Sequence, residues 1–420
     1  MNSAYTDDLL APASGCGPLL EGGRRAGRPL RQQVFEYVRS HGQAARSDIA
    51  KSLDISAGSA TTITADLIAE GLLHEVEGPA REQGRGRPRV ALEVVSQAGY
   101  AIGVKLGFDA HTAVLVDFNG NVLADAKLPS KDQRRSTQEL LDEVDELIGK
   151  LLSEYTVELK DVRAIGVGLP GIVEHSSGQV IWSSILHDRN QDLGIMLKDR
   201  YGVTIALDND ANMLTLAELW FGAGRSMSDF AVVTIESGVG MGLVLGNEIY
   251  RGAHGLGLEL GHTKVQLDGA LCRCGQRGCL EAYLADYALN REAGAALGHL
   301  LERSIGPEET LNLLFDQAKQ GHEAAQTIFR RAGRFLSAGL SNVIQLFDPA
   351  LIILSGSQMK YDYLYANEVI EDVAQLTLNN GRKPCKVEIH AWDDLVWARG
   401  ASALALSKVT DATVGRDLNP

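Results

Sequence analysis

Apolar positions first fall into a helical period at the start of residues 28–95. Leu30, Val34, Tyr37, Val38 and His41 recur on one helical face, and Gly42 ends that helix. Ser47 is placed to cap a short second helix carrying Ile49, Ala50 and Leu53. Asp54-Ile55 then makes a turn. Ser56 caps a third helix with Ala60, Ile63 and Leu67 inside, and Gly71 stops it. Segments at 72–76 and 89–95 could pair as two strands. Three helices of this kind would also suit an ordinary bundle. The short helix, turn, short helix spacing followed by a strand pair favours a winged helix-turn-helix.

From Gly99 the texture changes. Strand-like stretches at 100–106, 112–117 and 122–127 precede an amphipathic helix at 137–155 and a buried strand at 162–169. The turn Phe118-Asn119-Gly120-Asn121 joins two of them. Further strands are expected at 203–207, 231–235 and 242–245. Beyond Glu281 the pattern is mostly helical, with one strong strand at 351–354. Strands alternating with helices predict an α/β domain. The expected organisation is a mobile tail (1–27), a winged helix-turn-helix DNA-binding domain (28–95) and an α/β body (96–420).

Composition sharpens this picture. A chain of 420 residues, 45% hydrophobic, suffices for two or three domains. No run approaches the roughly 18 apolar residues of a membrane helix. The opening residues, with Asp7, Asp8, Pro12, Gly15 and Gly17, do not read as a signal peptide, so a cytoplasmic protein with no membrane partner is expected. The net charge of −14 argues against nucleic acid only until it is divided. Residues 24–95 hold 11 Lys/Arg against 9 Asp/Glu, and only Lys51 is a lysine. Arginine suits phosphate and base-edge contacts.

The outer face of the third helix offers Ser56, Gly58, Ser59 and Thr62, small enough for the helix to sit deep in a major groove. Between the wing strands, Arg85, Arg87 and Arg89 alternate with Gly86 and Pro88. Such a thin cationic run fits a minor groove. Taken alone it would equally serve as a solvated basic loop; directly after the helix-turn-helix, groove contact is favoured. Two-fold operator logic makes a homo-oligomer, dimer or tetramer, the expected state on double-stranded DNA.

Five cysteines are too few for a disulfide scaffold. Cys16 reads as a tail thiol and Cys385 as a packed one. His262, nine residues, Cys272-Arg273-Cys274, four residues and Cys279 supply one imidazole and three thiolates. That set fills a tetrahedral site and leaves no open position, so the expected cofactor is a structural Zn2+ in a loop spanning 262–279. Gly275 and Gly278 supply the turns.

His262 followed by Cys-Arg-Cys-Gly-Gln-Arg-Gly-Cys-Leu-Glu resembles the signature of the ROK family of repressors and sugar kinases. The resemblance implies an actin/hexokinase-like two-lobed domain with a sugar in the cleft. Family regulators, the N-acetylglucosamine and xylose repressors among them, carry an N-terminal winged helix-turn-helix. Glu259-Leu260-Gly261-His262 is similar to the family's Glu-x-Gly-His motif, which makes Glu259 and His262 sugar contacts. Glu281 resembles a third contact, and Asn209-Asp210 the family's Asn-Asp pair, whose aspartate is the proton-removing base in the kinases.

The nucleotide side departs from the family. Where Asp-x-Gly-Gly-Thr is usual, Lys105-Leu106-Gly107-Phe108-Asp109 stands. A second phosphate loop is partly kept as Ser237-Gly238-Val239-Gly240, but Glu236 sits where a small residue is usual. The third loop reads Ser355-Gly356-Ser357. The resemblance therefore implies a sugar-responsive regulator, a repressor of carbohydrate uptake or catabolism genes. It would bind a sugar or sugar phosphate without phosphorylating it, with Asp210 a vestigial base. An ATP-dependent sugar kinase with an appended DNA head is the alternative. A third reading has the acidic body docking a sugar-transport protein.

Overall fold

The computed structural model describes residues 15–19, 27–77, 90–131, 134–253, 255–298, 306–361, 367–378, 380–381 and 383–415. The chain forms two compact bodies. Of the described residues, one body combines those up to Ser228 with those from Asp393 onward, and the other is Asp229–Trp392.

The first body begins with a head built from α1 (Leu30–His41), β1 (Gln43–Ala45), α2 (Arg46–Ser52), α3 (Ala57–Ala69), β2 (Leu73–Glu77) and β3 (Val90–Val94). Its strands pair antiparallel in the order β1-β3-β2. The two wing strands are present, and β1 adds a third that is too short to show alternation in sequence. Because β1 runs straight into α2, Ala45 takes the cap position and Ser47 falls inside the helix, its hydroxyl turned to Asp48. Ser56 does cap α3, accepting the Ser59 N–H at 3.0 Å. Asp54 makes the preceding turn with φ 50°, a left-handed conformation that aspartate tolerates.

The buried face of α3 is Ala60, Thr64 and Leu67, with Ile63 only half-buried. Thr64 enters the core because its hydroxyl is satisfied, donating to Ala60 O (2.8 Å) and accepting from Arg46 Nε (3.0 Å). The greater departure is α1. His41 is exposed, whereas Arg31, Gln32, Gln33, Arg39 and Ser40 are buried together with Val34, Tyr37 and Val38. An amphipathic pattern predicts one covered face, and this helix is covered on two.

The rest of the first body contains β4 (Tyr100–Lys105), β5 (Ala110–Val116), β6 (Val122–Pro129), α4 (Thr137–Ser153), β7 (Val162–Leu169), β8 (Gly171–Glu174), β9 (Gln179–Ser183), α5 (Leu193–Tyr201), β10 (Thr204–Asn209) and α6 (Asp210–Phe221). A five-stranded sheet runs β10-β7-β4-β5-β6, parallel from β10 to β4 and antiparallel beyond. The expected strands and helix are all found, with shifted ends. The β8–β9 hairpin is not announced in the sequence, since its strands are short and only partly buried.

The second body holds β11 (Phe230–Ile235), β12 (Val239–Leu245), β13 (Glu248–Tyr250), α7 (Glu281–Leu284), α8 (Asp286–Leu297), α9 (Pro307–Lys319), α10 (Glu323–Phe347), β14 (Leu351–Ser355), α11 (Asn367–Leu376) and β15 (Lys386–His390). Its sheet runs β13-β12-β11-β14-β15, over a core that includes Ile352, Leu354, Phe329, Leu336 and Leu340. The sequence predicts one strand after Glu281; among the described residues there are two. β15 is a half-buried edge strand in which charged and apolar residues alternate.

The chain then returns to the first body as α12 (Val396–Thr413). Gly103 of β4 and Gly166 of β7 are register partners beneath it. A Cβ on either would lie 1.9 Å from a helix carbonyl oxygen, that of Ala398 or Ala401. A Cβ on Gly400 would lie 1.7 Å from Met213 O of α6. Helix and sheet thus meet backbone to backbone, which only glycine permits.

Farther along, α12 covers the polar face of α1. Gln32 Nε2 donates to Asp411 Oδ1 (2.8 Å), Arg39 Nη1 to Thr410 Oγ1 (2.7 Å) and Arg31 Nη1 to Val414 O (3.3 Å). Residues 15–19, assigned by composition to a mobile tail, are packed here too. Cys16 N–H donates to Arg39 O (3.0 Å) and Gly17 N–H to Trp220 O (2.9 Å). Cys16 is therefore a core thiol, and burial pushes its pKa up. Among the described residues no helix is long and apolar enough to cross a membrane.

Candidate metal cluster, polar pairs and DNA-facing helix

The segment from β13 to α7 has almost no regular structure and a small core, in which Cys272, Cys279, Ala282 and Tyr283 pack with Phe335. Its organisation comes from turns. Gly275 and Gly278 take φ 88° and 77°, Cys272 N–H donates to Gln276 O (2.8 Å) and Gly275 N–H to Cys272 O (3.0 Å). These turns bring one donor atom each from His262, Cys272, Cys274 and Cys279 within 4.8 Å of one another. Cys274 Sγ and Cys279 Sγ are 3.7 Å apart, as are Cys272 Sγ and His262 Nδ1. With metal–sulfur bonds of about 2.3 Å, a tetrahedron has edges of about 3.8 Å. The donor set therefore fits a four-coordinate metal ion. Lys264 Nζ lies 3.0 Å from Cys279 Sγ, a cation suited to a thiolate.

His262 offers Nδ1 to the thiols, so Nε2 points away, 4.0 Å from Glu259 Oε2. Glu259 is exposed. Glu281 behaves differently. It is 9% exposed. Its carboxylate receives Val239 N–H (3.3 Å) and Tyr287 O–H (3.3 Å) and lies 3.5 Å from Cys272 Sγ. Glu281 thus ties the loop at 236–240 to the cysteine cluster, a role that sequence spacing did not disclose.

Asn209 and Asp210 sit where β10 gives way to α6. Asn209 is the cap, accepting Asn212 N–H at 2.8 Å. Asp210 opens the helix and is half-buried. Loss of solvent raises its pKa above the usual carboxylate value, and the charge of Lys105 opposes that shift. Lys105 Nζ in turn sits 3.9 Å from the centroid of the Trp397 ring. A lysine is thereby held within electrostatic reach of Asp210.

The departed loops are also anchored. In the 105–109 hairpin, Gly107 N–H donates to His111 Nδ1 (3.2 Å), and Phe108 packs against the sheet core. In the second body Glu236 Oε1 accepts Ser357 N–H (3.2 Å), so a carboxylate of the chain itself occupies that backbone donor.

In the head, Ser56, Gly58, Ser59 and Thr62 are all exposed along α3. Thr61, passed over in the sequence, shares their exposure. Arg85, Arg87 and Arg89 lie outside the described residues.

A winged helix-turn-helix joined to an actin/hexokinase-like α/β body defines the class. The ROK family model matches residues 101–408, and the chain belongs to the ROK family. It is 27% identical over 380 residues to a putative xylose repressor of Caldicellulosiruptor sp., covering 89% of this chain and 94% of that protein. It is 30% identical to the DNA-binding transcriptional dual regulator NagC of Escherichia coli over 334 residues, 78% of this chain and 80% of that one. A crystal structure of a ROK family transcriptional regulator, a homolog of the E. coli MLC protein, superposes with TM-score 0.76 at 24% identity. It covers 91% of this chain and 96% of that one. A ROK glucokinase of Streptomyces griseus, solved with glucose and AMPPNP, superposes with TM-score 0.60 at 27% identity. That match covers 74% of this chain and all of the other.

Proposed function

We propose that this protein is a sugar-responsive transcriptional regulator that represses genes of carbohydrate uptake or catabolism. The observation that carries the reading is the exposed row Ser56, Gly58, Ser59 and Thr62 on α3 of a winged head, in a chain whose curated relatives include named repressors and a DNA-binding transcriptional dual regulator. The head would enter the major groove of a double-stranded operator through α3. The arginines at 85, 87 and 89 would follow the minor groove. Two heads of a homo-oligomer would read two half-sites.

The sugar contacts would be Asn209, Asp210, Glu259, His262 and Glu281, with carboxylates accepting paired hydroxyls. The exposure of Glu259 and the His262 Nε2 edge turned toward it, away from the thiols, support that assignment. Zinc is the ion that one imidazole and three thiolates select. With every position taken by protein it would hold the 262–279 loop in shape rather than activate water. Phosphoryl transfer is disfavoured by the Lys105 charge acting on Asp210 and by the Glu236 carboxylate on Ser357 N–H.

The test is thermal stabilisation by D-xylose, D-glucose, N-acetyl-D-glucosamine and their phosphates. A ligand at one hundred times its Kd stabilises by about 2.7 kcal/mol. One hit, lost in Glu259→Ala, is expected. Sugar-dependent ADP release that disappears in Asp210→Asn would replace this reading with that of a kinase. No stabilisation by any sugar would favour docking of a sugar-transport protein.

A further inference from the structure

Asp210 is the first residue of α6, and Trp220 lies at that helix's other end. Twelve residues of helix span about 18 Å. At the Trp220 end stands Arg39 of the head, 2% exposed. Its guanidinium lies 4.7 Å from the centroid of the Trp220 ring and donates to Thr410 Oγ1 of α12 at 2.7 Å. One side chain of the head therefore touches both helices.

Those helices do not slide freely on each other. Gly400 of α12 abuts Met213 O, near the Asp210 end of α6, with no room for a Cβ. Arg399 of α12 also stacks 4.3 Å from the Phe221 ring centroid. Close-packed interiors shift as discrete units rather than deform continuously. A displacement at the Asn209–Asp210 end of α6 would reach Trp220 and Thr410 together. A buried guanidinium is costly to keep, and an apolar side chain would seal this seam as well. Its presence here, in contact with both helices, fits a part that reads the position of its neighbours.

We propose that Arg39 is the positioning residue through which the state of the Asn209–Asp210 end of α6 reaches the DNA-binding head. The proposal rests on the sugar-regulator reading above. Sugar would favour one placement of α6 and α12, and operator the other. The coupling is then reciprocal, typically about 5–150-fold in affinity.

The experiment uses the full chain, a duplex enriched on it from a randomised library, and the sugar of the panel that best stabilises the wild type. Arg39→Met keeps the volume of the joint without its charge, and Trp220→Leu removes the ring from the other side. Both variants should bind the sugar as the wild type does, and bind the duplex within about threefold of wild type without sugar. The sugar should change their duplex affinity less than about twofold, against about tenfold or more in the wild type. A wild-type sugar response retained by both variants overturns the relay and leaves the regulator standing. A wild type whose duplex affinity the sugar does not alter overturns the regulatory reading, and the relay with it.

Discussion

His111 Nε2 lies 2.6 Å from Glu143 Oε2 in the interior of the first body, and both side chains are buried. Its other nitrogen accepts Gly107 N–H, which fixes the tautomer with the proton on Nε2. Arg135 completes the group, donating to Glu143 and placing Nη1 2.8 Å from His111 Nε2. Burial lowers the His111 pKa, Glu143 opposes the shift and Arg135 reinforces it.

A pH prediction follows from that sign. The folded state holds His111 neutral below its ordinary value of about 6.5. Its contribution is thus present above that value and is lost as pH falls through the lowered one. The unfolding midpoint of the first body should decline below about pH 6.5. His111→Gln should flatten that decline and cost about 1–3 kcal/mol from unsatisfied partners. An unchanged pH profile in the variant would refute the assignment.

Metal analysis should find one zinc per chain, and Cys279→Ala should lose it. Apparent binding free energies of such sites are about 10–16 kcal/mol at neutral pH. A strong chelator should therefore lower the melting temperature of the second body and expose the 262–279 loop to protease. A chain equally stable with and without chelator would sink the structural role.

Thr62→Glu should weaken duplex binding more than about tenfold by setting a carboxylate against phosphate, with the melting temperature unchanged because Thr62 is exposed. Titration of a labelled duplex reads the first effect and thermal denaturation the second. Unaltered affinity would remove α3 from the groove.

Gly103→Ala and Gly166→Ala should each destabilise the first body by about 3 kcal/mol or more, since the added methyl meets a backbone carbonyl that cannot turn aside. Denaturant unfolding measures this. A loss below 1 kcal/mol would mean that α12 is not held as described.

What the sequence disclosed follows from how far apart the partners lie along it. His262, Cys272, Cys274 and Cys279 are neighbours in the chain, so their spacing already implied their cluster. The same holds for Ser56 capping α3 and for the apolar runs of β4, β5 and β7. Glu281 on Val239 N–H, Arg39 on Thr410 and Gln32 on Asp411 join residues that no local period relates. The second buried face of α1 was hidden for a further reason. It is polar, and an apolar pattern cannot reveal a surface that is covered through hydrogen bonds.

The paired glycines under α12 also bear on how the molecule is made. A ribosome delivers β4 and β7 early, but the helix that covers Gly103 and Gly166 comes only after the whole second body has been synthesised. Until then the middle of the first sheet faces solvent, and the joint to α1 has nothing to close on. The nascent chain must carry this open surface through most of translation. A message truncated before Val396 would yield an unfinished sheet for chaperones and proteases, rather than a shortened regulator.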